Sequence, residues 1–395
     1  MKKQLLALIF TLAANAVAAQ PTIWEGKIGK YPVYFYLNCD PEKNTNAPDD
    51  CRNSRYFYTS SLQDIVIRSG GPVEKHKYVL NVSHDSYTGE PPISEKFVLV
   101  YKNNKFEGSW HNQSKKLAVY LERYKPETFP TNWHEISLFE TRYSDDMFEY
   151  IRLPLLKFAQ LKSQTLKTIK INWLKEKHSK LLFFRIHSGI PEEKILQINR
   201  VLKKFHNEYA TSVLSCAHAM AYGTGMDSIK FEITYLTENL LAFNADLSYY
   251  CGGAHPNYSN PGYLLDLNTA QILTLEHILA FRKNVPVINK SGEGEWFSYR
   301  TGEFSRGIKE LAYKSKGWAL QPSANRPANR QSDESCDYNR PEIWSFLTWH
   351  YTDKGLSLFP SFPRVEIACS AEFIIPFNQL EKFKSPLFPY AFESS

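Results

Sequence analysis

The stretch Tyr249-Tyr250-Cys251-Gly252-Gly253-Ala254-His255-Pro256-Asn257 brings a cysteine, two glycines, a histidine and a proline into a few residues. A histidine base needs a polar partner within about 3 Å and a pocket around it. Asp246, Asp266 and Glu276 are the acids that folding could deliver to His255. The competing reading is structural: His255 hydrogen-bonds the backbone of a bulge that Gly252 and Gly253 permit. Pro256 confines His255 to extended backbone, which suits a strand end in either case. The structural role is the preferred reading, so no catalytic residue is assigned.

Other candidates are thinner. Ser215-Cys216 could offer a reactive thiol, but in an exported chain with an even number of cysteines a disulfide is the better assignment. His206 and His218 lie twelve residues apart on one predicted helix, about 18 Å, too far to share a metal. The remaining histidines (His76, His84, His111, His134, His178, His187, His277 and His350) are scattered. With no C-x-x-C or H-x-x-x-H pair, no metal or other cofactor is expected. Gly292-Glu293-Gly294-Glu295 lacks the Lys-Ser/Thr of a phosphate loop and the third glycine of a dinucleotide fingerprint. No G-x-S-x-G nucleophile elbow is present.

Residues 1–19 read as a secretory signal. Lys2 and Lys3 precede the apolar run Leu5 to Ala14, and Ala16-Val17-Ala18-Ala19 offers a small-residue cleavage site. The apolar run is too short to span a bilayer, which takes about 20 residues. Without Lys2 and Lys3 the formal charge falls from +6 to +4 (6 − 2), a mild excess with no long basic run, so nucleic acid is not an expected partner. The expected compartment is the bacterial periplasm. Cys39, Cys51, Cys216, Cys251, Cys336 and Cys369 then point to disulfides. Sequence leaves the pairing open; proximity and element order favour Cys39–Cys51, Cys216–Cys251 and Cys336–Cys369.

The elements that must position these residues fall into three parts. Residues 20–124 carry short alternating strands, starting with Trp24 to Gly29 and Tyr31 to Leu37. Further runs follow at Tyr56 to Thr59, Asp64 to Arg68, Tyr78 to Ser83, Lys96 to Lys102, Lys105 to Trp110 and Leu117 to Leu121. Asn103-Asn104 is a tight hairpin signal. Such spacing argues an antiparallel β-meander, curled or closed into a barrel. Trp24, Tyr58 and Trp110 could line a ligand cavity there, but filling the module's own core is the preferred role. Residues 125–189 connect: a Pro-containing linker at 125–131, a strand at Ile136 to Tyr143, a helical pattern from Met147 to Leu166 interrupted by Pro154, and a hairpin of Lys167 to Lys175 with Lys180 to Ile186.

Residues 190–395 begin with a long amphipathic helix opened by Pro191-Glu192-Glu193, with Ile195, Ile198, Leu202, Phe205 and Tyr209 at helical spacing. Gly223 and Gly225 are expected to end it. Ile229 to Leu236 and Leu240 to Tyr250 form an antiparallel pair turned at Thr237-Glu238-Asn239, and a strand follows at Tyr263 to Leu267. A short helix at Leu273 to Ile278, one helix near Phe304 to Tyr313 and a strand at Val365 to Cys369 complete the pattern. One long helix on an antiparallel sheet is an α+β two-layer domain.

The order Tyr-Tyr-x-Gly-Gly-Ala-His, an aromatic-Asp-Leu-x-Thr strand, and Leu-Thr-Leu before a short helix resembles the RsiV-like extracytoplasmic domain of unknown function. The closing pattern Gly355-Leu356-Ser357-Leu358, Val365-Glu366-Ile367, Phe373-Ile374-Ile375-Pro376 and Leu380 matches the end of the same domain. That domain forms part of a lysozyme-sensing anti-sigma factor and of certain peptidoglycan deacetylases. The resemblance covers residues 190–385 and implies a periplasmic, disulfide-bearing version; the sequence departs from those proteins in showing no sigma-binding segment, transmembrane helix or deacetylase metal motif. The expected function is non-enzymatic binding of a cell-wall component or a muramidase-like envelope protein. Tyr249, Tyr250, His255, Asn257 and Tyr258 form the expected binding edge. The alternatives are a peptidoglycan-modifying hydrolase using His255, and a periplasmic immunity or inhibitor protein.

Overall fold

The computed structural model describes residues 22–42, 51–83, 93–125, 147–216, 225–251, 255–287, 293–318 and 336–393. The expected signal segment, the Ile136 to Tyr143 strand, Gly252 to Ala254, Gly223 and the histidines His84, His134 and His218 lie outside these residues. The chain divides into two compact units, residues 1–130 with 150–155, and residues 131–149 with 156–395.

Eight antiparallel strands close into a barrel in the first unit: β1 (Thr22–Ile28), β2 (Tyr31–Leu37), β3 (Ser54–Tyr58), β4 (Ile65–Glu74), β5 (Lys77–Ser83), β6 (Ile93–Lys102), β7 (Lys105–Asn112) and β8 (Lys116–Arg123). Closure runs through β1 and β8, with Trp24 opposite Arg123 and Ile28 opposite Val119. Every second side chain points inward. Trp24, Phe35, Tyr56, Phe97 and Phe106 are fully buried. Phe35 stacks on Tyr56 with ring centroids 4.7 Å apart, and Trp24 meets Phe106 edge-on at 4.8 Å. Eight strands enclose a space that side chains can fill. Trp24 and Trp110 therefore belong to a packed core, and Tyr58 is half-buried at its margin. At the β1–β8 seam, a side chain on Gly26 would collide with the carbonyl of Tyr120, so only glycine fits that crossing.

Asn103 and Asn104 both adopt positive φ (53° and 58°), joining Lys102 and Lys105 in the two-residue turn their types indicate. Cys39 and Cys51 form the barrel's disulfide. Residues 150–155 group with the barrel, and Arg152 is buried there against Asp64 and over the ring of Phe57, 4.9 Å from its centroid.

The helical pattern expected from Met147 to Leu166 is not one helix. Helix α1 (Met147–Arg152) gives way to a 3-10 turn at Leu153–Leu155, and Phe158–Leu166 is strand β9. Pro154 cannot continue an α-helix, and β9 gains pairing along its whole length from β10 (Ile169–Glu176). Long-range ladder bonds override the local helical pattern. β11 (Leu182–Ser188) completes this three-stranded sheet.

Helix α2 (Glu192–Cys216) carries acids in its first turn, facing the positive dipole end. Its buried face includes Ile198, Leu202, Phe205 and Leu214. Phe205 lies edge-on to Tyr263 at 4.6 Å and to Phe243 at 5.1 Å, and Phe183 meets Phe231 at 4.5 Å. Beneath it run β12 (Gly225–Leu236), β13 (Leu240–Tyr250), β14 (Asn257–Ser259), β15 (Gly262–Asp266) and β16 (Ile272–Leu273). Gly225 does not end the helix as expected; it opens β12 with φ of 60°. The helix is tied to the end of β13 by the Cys216–Cys251 disulfide.

The remainder of this unit packs α3 (Leu275–Ile278), α4 (Glu293–Tyr299), α5 (Ser305–Ser315), α6 (Glu342–Ser345) and α7 (Phe377–Leu380) around a sheet of β17 (Thr348–Thr352), β18 (Gly355–Phe359) and β19 (Phe373–Ile375). The single helix expected near Phe304 to Tyr313 is the end of a longer one: α4, a π turn at Arg300–Phe304, and α5. The expected strand at Val365 to Cys369 is a 3-10 segment, Arg364–Cys369. β18 is already flanked by β17 and β19, so it has no open side to receive it. Cys369 pairs with Cys336, completing the three disulfides in the pairing expected from element order.

Candidate functional site

β13 is the spine of the site. Its first half pairs with β15, Leu240 opposite Asp266 through Asn244 opposite Gly262. Its second half pairs with β14, Leu247 opposite Ser259 through Tyr249 opposite Asn257. Between β14 and β15 the chain turns at Asn260-Pro261, where Ala245 N donates to Pro261 O at 3.0 Å and Asn244 Nδ2 donates to Asn260 Oδ1 at 3.1 Å. Gly262 has to be glycine, because a Cβ there would lie 2.1 Å from the carbonyl of Trp349 on β17.

The five residues of the expected edge have different environments. Tyr250 is buried, Tyr249 and Asn257 are half-buried, and His255 and Tyr258 are exposed, Tyr258 by 63%. His255 Nδ1 lies 3.1 Å from the Pro256 carbonyl. Two of the acids that sequence offered as its partner are engaged elsewhere. Asp266 accepts the backbone N–H groups of Asn268 (2.7 Å) and Thr269 (3.1 Å), fixing the turn after β15. Glu276 is buried, ion-paired to Arg300, and accepts from Trp296 Nε1 at 2.9 Å and Thr274 Oγ1 at 2.7 Å. Burial pushes the Glu276 carboxyl up, but the Arg300 charge and these hydrogen bonds outweigh it and hold its pKa below the ordinary value. The third acid, Asp246, interacts with Tyr258, whose phenol is raised by partial burial and then by that carboxylate.

Beside Tyr258 opens a cleft of about 450 Å³. Tyr258, Phe359, Phe362 and Ile367 give it apolar walls, and Asn260, Thr348, Ser361 and Ser370 place hydroxyl and amide groups between them. None of its described lining residues is charged. His350 supports the floor from within the fold, its Nε2 donating to Asn260 O at 2.8 Å; burial keeps this imidazole below its usual pKa. Sequence inspection placed Tyr258 at an edge but missed the opposite wall. Phe359 to Phe362 carry no motif, Ile367 entered only as part of a closing pattern, and both lie about a hundred residues further on, brought across by the β17–β18 sheet.

Among the described residues, no group of three or more His, Cys, Asp or Glu side chains could hold a metal ion. Nor, among these residues, is any helix long and apolar enough to cross a membrane. The three disulfides fit an exported protein.

Neither a family model nor a curated protein matches the chain. Solved structures do. A DUF3298 family protein of Pseudomonas aeruginosa PAO1 is 14% identical with a TM-score of 0.29, covering 60% of this chain and 97% of its own. A member of the same family from Bacteroides fragilis NCTC 9343 is 13% identical with a TM-score of 0.31, covering 58% of this chain and 94% of its own. At these values the likeness assigns no residue a role.

Proposed function

We propose that the chain is a non-enzymatic binding protein of the bacterial cell envelope, exported to the periplasm, with an RsiV-like domain at residues 190–395 that engages peptidoglycan or a muramidase-like protein. On this reading residues 20–124 form the N-terminal β domain and residues 125–189 the connection. The carrying observation is Tyr258, exposed by 63% at the mouth of the uncharged cleft. An amphipathic ring projecting from a sheet that is stapled by a disulfide suits recognition. Tyr249, Asn257 and His255 flank it as secondary contacts, and the buried Tyr250 supports the strand from behind.

A hydrolase using His255 is the weaker reading. The ring is exposed, and Asp266 and Glu276 are committed to a turn and to Arg300. Pull-down and calorimetry with isolated peptidoglycan sacculi and with a lysozyme-type muramidase test the proposal. Capture of one of them, weakened by Tyr258→Ala, is the expected result. Capture of neither sinks it. Muropeptide products that disappear in His255→Ala would replace it with the hydrolase.

A further inference from the structure

Resting on the binding reading, we propose that the cleft between β14 and the 359–370 segment holds a neutral saccharide. Its size lies within the roughly 300–1,000 Å³ of small-ligand sites. Chemistry narrows the occupant. An anionic ligand would leave water without a counter-ion among the described lining residues and would meet the Asp246 carboxylate beside Tyr258, at a cost nothing there offsets. A purely apolar ligand would strip water from the hydroxyls of Thr348 and Ser361 and leave them unsatisfied. A pyranose ring matches both kinds of surface. Its C–H face lies on an aromatic or aliphatic wall, and its hydroxyl rim exchanges hydrogen bonds with neutral amides and hydroxyls.

The cleft is also built to keep its shape. His350 and Asn244 hold the two sides of Asn260, through its carbonyl and its side-chain oxygen. Ser370 Oγ donates to Pro360 O at 3.0 Å, joining the ends of the opposite wall. On that wall Arg340 is ion-paired to Glu366 while its guanidinium lies over Phe362, 5.3 Å from the ring centroid. Val365 and Ile367 stand exposed by 95% and 59% on the same 3-10 segment, an apolar rim along which further sugar rings would extend. A rigid, preformed cleft lowers the ordering cost of binding.

Saturation-transfer NMR and titration calorimetry on the full mature chain test this with N-acetylchitotriose and maltotriose as neutral probes and a sulfated heparin disaccharide as the charged control. Expected are saturation of sugar C–H protons for a neutral probe, a weaker or absent signal for the sulfated one, and at least about a tenfold loss of affinity in Tyr258→Ala. Tyr258→Phe keeps the ring and should bind within a few-fold of wild type. Tyr258 is exposed, so its removal leaves no core cavity. The proposal is overturned if neither neutral sugar binds, if the sulfated control binds better, or if Tyr258→Ala binds them unchanged. Sacculus or muramidase capture by a protein that binds neither neutral sugar would overturn the saccharide site while leaving envelope binding intact. Sugar binding lost in Tyr258→Ala, with no capture of sacculi or muramidase, would uphold the cleft and sink the envelope reading.

Discussion

A guanidinium sealed from water requires its counter-ion, and Arg152 meets that requirement with Asp64, both almost fully buried. Removing one partner of such a pair typically costs about 3–5 kcal/mol, because the other charge remains buried. Asp64→Ala should therefore lower the unfolding free energy of the first unit by that amount, read as a lower urea midpoint by near-UV circular dichroism. His206 provides the pH-dependent counterpart. Burial, aided by the Arg185 charge, pushes its pKa down to about 3. The unfolded chain then binds the extra proton first, so the His206 contribution is complete above pH 6.5 and is lost as pH falls from 6.5 towards 3. Up to about 5 kcal/mol is at stake on this scale. His206→Phe should flatten the slope of stability against pH across that window; an unchanged slope would assign it to other groups. Glu276 acts in the same direction at lower pH, since its folded pKa is depressed and its stabilisation disappears as pH falls through that value. Residue identity alone disclosed little of this. His206 read as one more scattered histidine, and Glu276 as a partner for His255, because burial and the Arg300 contact arise only when distant segments meet.

Elements were legible wherever the signal was local. Alternating aromatics gave the barrel strands, and paired asparagines gave the 103–104 turn, where both residues carry positive φ. Replacing both with alanine should cost about 1–2 kcal/mol per strained position, whereas Asn104→Gly should be neutral or stabilising, as thermal melts will register. Elements failed where tertiary pairing decided. Phe158–Leu166 has a polar, helix-compatible composition, yet β10 recruits it as a strand. Val365 to Cys369 has strand-like residues, yet β18 has no open side for them. The same segment shows what a disulfide does beyond chain entropy. Cys369 ends the 3-10 turn that carries Ile367, and Ser370 follows at the cleft. Cys336→Ser/Cys369→Ser should lose about 2–4 kcal/mol of stability together with ligand binding, whereas Cys39→Ser/Cys51→Ser should leave binding intact. Equal binding in both double variants would detach the cleft from its staple.

At the scale of the molecule, sequence conveyed a β-rich first part and a helix-on-sheet second part, but it conveyed closure of the barrel only as one of two options. Whether a meander curls or closes depends on whether its first and last strands meet, and no local pattern states that. Each unit has its own aromatic core, one around Trp24 and Phe97, the other containing Trp344 and Phe373. Scanning calorimetry should therefore resolve two transitions, and a reductant should lower both, because each unit contains at least one disulfide.

Closure of β1 onto β8 has a topological consequence. Ile23 O accepts the N–H of Tyr124 at 2.9 Å, so the polypeptide enters and leaves the barrel side by side. Such a bead is indifferent to where its thread is cut. Joining residues 22 and 124 through a short glycine linker and opening the chain between Asn103 and Asn104 would give a circular permutant with every barrel ladder kept, provided the 147–155 segment is supplied alongside so that Asp64 keeps Arg152. Adjacent ends and an exposed turn are the conditions under which permutation succeeds, and a native-like near-UV spectrum would mark the permutant as a portable insertion module.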